Sequence, residues 1–451
     1  MFSKELTCNI KNLCSALFDW QTTSLSVLSL INHGENTNTV LVPSAALLSH
    51  AQFQLKAGGI MLDSTIWWHV YPLGATGAPI RDRAGDGSDA APRLRQLEPW
   101  LDYLIELGCD GLLLGPIFES VGHGYDTLDH YRIDSRLGTN DDFDHLMEAC
   151  RTRGIKVMLD GVFNHVAVSH AVVDKGLAGS TNWEGHDELA TLHHDDERVR
   201  EMVTDIMKFW LARGIAGWRL DVAYSVPGEF WTDVLGRVRA DYPDAMFLGE
   251  VIHGDYVQIT RDGTLDAVTQ YELWKAIWSS LHDANFWELD HALNRHRDIS
   301  REILTNTFVG NHDVDRIASK IGQDKEILAL AILLTLPGMP SIYYGDEQGF
   351  EGMRGEGFSA DDAVRPPLPA TPGELSDLGA WIYREHQALI GLRRRNQWLT
   401  HADIEVLDKT NETISYRVFT ENEQLLIDAS LTPTPHIRIH TDGETLYEWT
   451  A

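Results

Sequence analysis

The 451-residue sequence predicts an α/β fold: a (β/α)8 TIM barrel with a short insertion after strand 3 and a small C-terminal antiparallel β domain. Three observations carry this reading. Short apolar runs alternate with helix-period stretches from about residue 64 to residue 347, and the runs number eight. From about residue 400 the pattern changes to period-two strands divided by turn residues.

In chain order the candidate strands are TIWWHVYP (65–72), GCDGLLLGP (108–116), GIKVMLDGV (154–162), GWRLDVA (217–223), AMFLGEV (245–251), LDAVTQY (265–271), NTFVGNH (306–312) and PSIYYGDE (340–347). Helix-period segments separate them, such as 195–214 before the fourth strand and 324–338 before the eighth, the latter halted by Pro337 and Gly338. No GxGxxG or P-loop pattern opens a helix, which counts against nucleotide binding. Residues 166–200, rich in His, Trp and Gly, are too long for an ordinary strand-to-helix loop and read as an insertion forming one wall of a cleft. The expected organisation is an N-terminal extension (1–60) holding at most a small β element, a catalytic barrel over 61–395 that includes the insertion, and a C-terminal β domain over 396–451.

Composition narrows the function classes. Lys+Arg number 37 against 67 Asp+Glu, a formal net charge of -30, which repels phosphate backbones and anionic headgroups. Nucleic acid and membranes are therefore not expected as partners, and a neutral small molecule such as a carbohydrate is. No apolar run approaches the roughly 18 residues of a membrane span, and the N-terminal residues lack a secretory pattern, so a cytoplasmic address is expected. Cys8, Cys14, Cys109 and Cys150 show no metal-ligand spacing and read as reduced, mostly buried thiols. Nothing here fixes the oligomeric state.

Polar clusters follow the strands at their C-terminal ends: HGYDTLDHY after the second, DGVFNH at the third, RLD at the fourth, GE at the fifth and NHD at the seventh. In a parallel barrel these ends share the face that carries chemistry. Each cluster also has a structural reading. An Arg-x-Asp pair in a strand is often a satisfied buried ion pair, and a Glu after a strand often starts a helix. His69, His123, His253 and the His193–His194 pair lack metal-site spacing and read as cleft lining or surface, and Trp67 and Trp68 read as barrel core. The coincidence of acids at three strand ends favours function, because burying several carboxylates for stability alone is costly. Three carboxylates with Arg and His at one mouth fit retaining glycoside chemistry, in which a nucleophilic carboxylate and a protonated one lie about 5–5.5 Å apart. Asp221 is the expected nucleophile, kept ionised by Arg219. Glu250, with no cation beside it in sequence, is the expected general acid, and Asp313 the stabiliser of positive charge, with His165 and His312 donating hydrogen bonds to the same sugar ring.

These motifs resemble the α-amylase family, glycoside hydrolase family 13, over about residues 64–370, with four of them in family order: DGVFNH (160–165), GWRLDVA (217–223), FLGEV (247–251) and FVGNHD (308–313). The resemblance implies Asp221 as nucleophile, Glu250 as acid/base and Asp313 as transition-state stabiliser, with Arg219, His165 and His312 around the cleaved sugar. It further implies Tyr125 stacking beneath that sugar, Asp126 binding its hydroxyls, and Arg365 as another substrate-binding arginine. Tyr224 and Ser225 stand where secreted members carry Lys and His, and Thr191 where calcium-binding members carry Asp. Asn164 alone cannot supply the roughly six to eight oxygens of a calcium site, so no metal and no cofactor are expected. The wording is closest to intracellular members acting on short soluble oligosaccharides. An isomerase, sucrase or phosphorylase on the same barrel, a non-catalytic sugar-binding homologue and a metal-dependent hydrolase remain the alternatives.

Overall fold

The computed structural model of the chain describes residues 62–80, 90–179 and 186–451. The expected N-terminal extension, Cys8, Cys14 and part of the insertion (180–185) lie outside the described residues. Ile60–Met353 and Asp361–Ala451 form one compact unit. Arg354–Ala360 lies outside that unit and holds a single 3-10 turn, Gly357–Ser359.

Eight parallel strands close the barrel: β1 (Trp67–Val70), β2 (Gly111–Leu114), β3 (Lys156–Gly161), β4 (Gly217–Leu220), β5 (Met246–Gly249), β6 (Ala267–Thr269), β7 (Leu304–Thr307) and β8 (Met339–Tyr343), each paired with its neighbours in sequence and β8 with β1. Six fall inside a predicted apolar run, while β7 and β8 overlap theirs but begin two residues and one residue earlier. Trp67 fills the interior with Leu113, Met158, Leu248 and Met339, while Trp68 faces outward and stacks on Trp100 at 6.1 Å. Both tryptophans are core. The room for Trp67 comes from Gly111, where a Cβ would lie 2.4 Å from the indole.

The outer helices are α1 (Glu98–Leu107), α2 (Asn140–Thr152), α3 (Glu197–Leu211), α4 (Gly228–Arg239), α5 (Tyr256–Asp262), α6 (Tyr271–Asp283), α7 (Phe286–Ser300), α8 (Ile317–Ile321), α9 (Gln323–Thr335) and α10 (Ala380–Arg395). Their starts follow sequence chemistry: Thr139 and Asp142 form a capping box at α2, and Asp196 and Asp255 cap α3 and α5. The insertion therefore ends at Asp196, before the predicted residue 200, because that aspartate starts the helix. Its described part is a hairpin pairing His165–Ala167 with Leu189–Thr191, plus a one-turn helix at Ala171–Asp174. Helix α9 is buried on all sides from Glu326 to Thr335, as its unbroken apolar run requires. Arg393 of α10 donates to the carbonyls of Leu334, Leu336 and Gly338, satisfying the end of α9 and the approach to β8.

Five antiparallel strands follow α10: β9 (Asp403–Lys409), β10 (Thr413–Phe419), β11 (Gln424–Ser430), β12 (His436–His440) and β13 (Thr445–Thr450), paired in that order. Alternate residues Ile414, Tyr416 and Val418 of β10, with Ile427, Ile437 and Ile439, join the main core beside α9, where Tyr416 and Thr335 share a hydrogen bond of 2.9 Å. No helix among the described residues is long and apolar enough to cross a membrane.

After β2 a second hairpin pairs Phe118–Ser120 with Thr127–Ile133, and the loop between them carries His123, Tyr125 and Asp126. Its anchor is a buried ion pair. Arg136 grips both oxygens of Asp134 at 2.7 and 2.6 Å and donates to Gly122 O, Pro79 O and Ser120 Oγ. Arg136→Met is expected to destabilise the protein by about 3–5 kcal/mol, because it leaves Asp134 buried and unpaired. Urea unfolding of variant and parent measures this, and a loss below about 1 kcal/mol would contradict it.

Candidate active site

The barrel register builds the centre of the site. Arg219 on β4 pairs directly with Asp160 on β3, and its Nη1 lies 2.7 and 2.6 Å from the two Asp160 oxygens. The same nitrogen is 3.4 Å from Asp221 Oδ1, while Nη2 reaches Glu250 Oε1 at 2.6 Å. All four side chains are almost fully buried. One guanidinium thus touches three carboxylates drawn from the C-terminal ends of three adjacent strands.

The geometry does not pair Arg219 foremost with Asp221: it lies closer to Asp160 and Glu250, and Glu250, with no cation beside it in sequence, meets this one across the strand ends. Nor is Asp221 held low: burial above all, then the charge of Glu250, pushes its carboxyl well above the usual range, against the opposing pull of Arg219. Burial likewise pushes Asp160 up to about 6, again against Arg219. The misreading came from sequence neighbours: a strand places residues 219 and 221 on one face, but lateral register decides which acid meets the guanidinium head-on.

Glu250 is fixed from several sides. Its Oε2 accepts from Val222 N at 3.0 Å, and its Oε1 from the Tyr271 hydroxyl at 3.2 Å. Val222 has φ +50°, a left-handed backbone that a β-branched residue adopts only under strain of roughly 1–3 kcal/mol. The strained turn directly follows Asp221 and aims its amide at Glu250, so backbone couples the two acids.

A second group surrounds His312, which is fully buried. Its ring lies nearly parallel to Tyr125 at 5.5 Å and to Tyr71 at 5.9 Å, with His69 edge-on at 5.0 Å. His312 Nε2 meets the Tyr125 hydroxyl and lies 3.1 Å from Asp313 Oδ2. The Tyr125 hydroxyl also donates to Asp160 at 3.0 Å, joining this group to the Arg219 cluster. Asp313 is the most open of the acids, its side chain 35% exposed. Arg365 is buried over the Tyr71 ring and bonds to Asp313 Oδ1 at 2.9 Å, His312 O at 2.9 Å and Asp361 at 3.0 Å.

His165 lies buried beside Asn164, and burial pulls its pKa down to about 4, leaving a neutral imidazole. Asp126 is buried in the 121–126 loop, where its Oδ1 accepts from Gly124 N at 3.1 Å. Asp221, Glu250, Arg219, Asp313, His312 and Tyr125 therefore belong to one connected network, and Arg365 enters it through Asp313. Sequence reasoning passed over Asp160, although it stands at the end of the third strand, and over Tyr71, Tyr271 and Asn311, whose uncharged side chains gave no signal. Among the described residues no group of three or more His, Cys, Asp or Glu is placed to hold a metal ion.

Comparison with known proteins agrees with this architecture. The sequence profile of the α-amylase catalytic domain matches residues 93–184 and 183–401. A maltogenic α-amylase of Bacillus acidopullulyticus is 34% identical over 286 residues, covering 56% of this chain and 48% of the relative, so the chain spans about half of that protein's length. An intracellular maltogenic amylase of Bacillus subtilis is 28% identical over 421 residues, 81% of this chain and 68% of the relative. The structure of a cyclic α-maltosyl-(1→6)-maltose hydrolase from Arthrobacter globiformis superposes with a TM-score of 0.72 at 23% identity, covering 82% of this chain and 91% of that one, a likeness of fold. With this profile spanning most of the barrel, the chain belongs to the α-amylase family.

Proposed function

We propose that the protein is a retaining glycosidase or transglycosidase acting on short, soluble α-linked gluco-oligosaccharides. The observation that carries this reading is that Asp221 and Glu250, from adjacent strand ends, touch one buried guanidinium. Asp221 attacks the anomeric carbon, and Glu250 gives its proton to the departing oxygen. The resulting glycosyl-enzyme ester is then opened by water or a second sugar, which returns a proton to Glu250. Asp313 stabilises the positive charge that develops on the ring. Tyr125, Asp126, His165, His312 and Arg365 surround the sugar, and Arg219 and Asp160 hold the acids in place. No cofactor takes part, and activity is expected to survive exhaustive chelation. The intracellular relative supports a cytoplasmic setting, and the relatives named maltogenic support short α-glucans.

The proton inventory suits this chemistry. Three carboxylates against one guanidinium cannot all be charged cheaply in a buried site, which favours a proton shared within the cluster.

Incubation with maltose, maltotriose, sucrose, trehalose and cyclodextrins, with and without phosphate, identifies donor and acceptor. Proton NMR of the first product should show the α anomer, and the β anomer would overturn the mechanism. Glu250→Gln is expected to slow turnover of unactivated substrates by about 10²–10⁴-fold, and a variant as active as the parent would revive a merely sugar-binding role. Because Asp221 holds its proton above the ordinary range, the nucleophile is lost as pH falls through that raised value. The acid limb of kcat/KM should therefore lie above the roughly 3.9 of a free aspartate. A plateau extending down to pH 4 would contradict this assignment.

A further inference from the structure

Glu250 is held by donors from three places: Arg219 Nη2 at 2.6 Å and the Tyr271 hydroxyl at 3.2 Å on Oε1, and Val222 N at 3.0 Å on Oε2. Tyr271 opens α6, buried against Phe308 at 4.9 Å and Trp274 at 5.8 Å between ring centres. Its hydroxyl receives Asn311 Nδ2 at 2.9 Å. The direction of this chain of bonds is determined. The backbone N–H of Asp313 donates to Asn311 Oδ1 at 2.9 Å, which fixes the amide so that its NH2 faces the phenol. The phenol oxygen therefore accepts from Asn311, and its own hydrogen is left for Glu250.

We propose that Tyr271 is a positioning residue for the acid/base, aimed by Asn311, which keeps Oε1 as a permanent acceptor and leaves Oε2 as the oxygen that carries the transferable proton. The inference rests on the acid/base reading of Glu250 given above. In the first half-reaction the Oε2 proton passes to the glycosidic oxygen as the C1–O bond breaks and the bond from C1 to Asp221 forms, leaving Glu250 as a carboxylate. In the second, water or an acceptor hydroxyl loses its proton to Oε2 as its oxygen replaces Asp221 on C1. A fixed donor on Oε1 stabilises the carboxylate that exists between the halves and eases release of the proton. The charged or titratable groups around this carboxyl are Arg219 from β4, Asp221 just after β4 and Asp160 from β3, while Asp313, from the segment after β7, lies near Asp221 and Tyr271.

Tyr271→Phe keeps the ring packing and removes only the hydroxyl. Infrared difference titration against a Glu250→Gln reference reads the Glu250 carboxyl without turnover. In the Tyr271→Phe background its band should disappear about one pH unit higher than in the parent. On maltotriose, or whichever of those sugars the parent cleaves, the alkaline limb of kcat/KM should move up with it while KM stays within about threefold. Turnover of α-maltosyl fluoride, whose leaving group needs no proton, should fall by less than about threefold. Coincident titrations of parent and variant, or an equal loss at every pH, would overturn the inference. A parent inactive on every sugar would instead sink the proposed function, with the infrared titration still deciding the role of Tyr271.

Discussion

One guanidinium has to serve three carboxylates at the mouth of this barrel, and most of what surrounds the site follows from that shortage of positive charge. Arg219 is held in place by lateral strand register, with Asp160 directly opposite it on β3. Because that pairing is as rigid as the barrel, the remaining two acids are placed by backbone geometry and need no flexible side-chain search. Asp221 follows β4 and Glu250 follows β5, and the amide of the strained Val222 joins them. Burial makes the arrangement expensive: the acids compete for protons, and Asp221 and Asp160 are pushed above their usual range.

The His312 group extends the same economy. Its imidazole lies parallel to the rings of two tyrosines, one of which reaches back to Asp160, while Arg365 supplies the mouth's second cation, to Asp313. The second cation sits on the most open of the acids, away from the crowded guanidinium. The two halves of the mouth are therefore charged separately and tied through the hydroxyl of Tyr125.

Much of this could be read from the primary structure because barrel strands are short apolar runs that end in polar residues, and the C-terminal ends are forced onto one face. Asp221, Glu250 and Asp313 stood out for that reason, as did the change of period near residue 400. What escaped reading depends on lateral relations. Arg219 and Asp221 are two positions apart, yet the closer partner is Asp160, 59 positions away. Tyr271 reads as the tail of an apolar run, whereas β6 stops at Thr269 and the tyrosine begins a helix whose first turn faces Glu250. Asn311 reads as one letter of a motif, and only its two bonds reveal that it orients a neighbour.

Helix α9 bears on the molecule as a whole. Buried on every side, it has barrel strands and α10 about it and the antiparallel sheet beside it. A helix without a polar face cannot meet water, so shearing away the final five strands would bare an aliphatic surface and invite self-association. Barrel and sheet are accordingly expected to melt together.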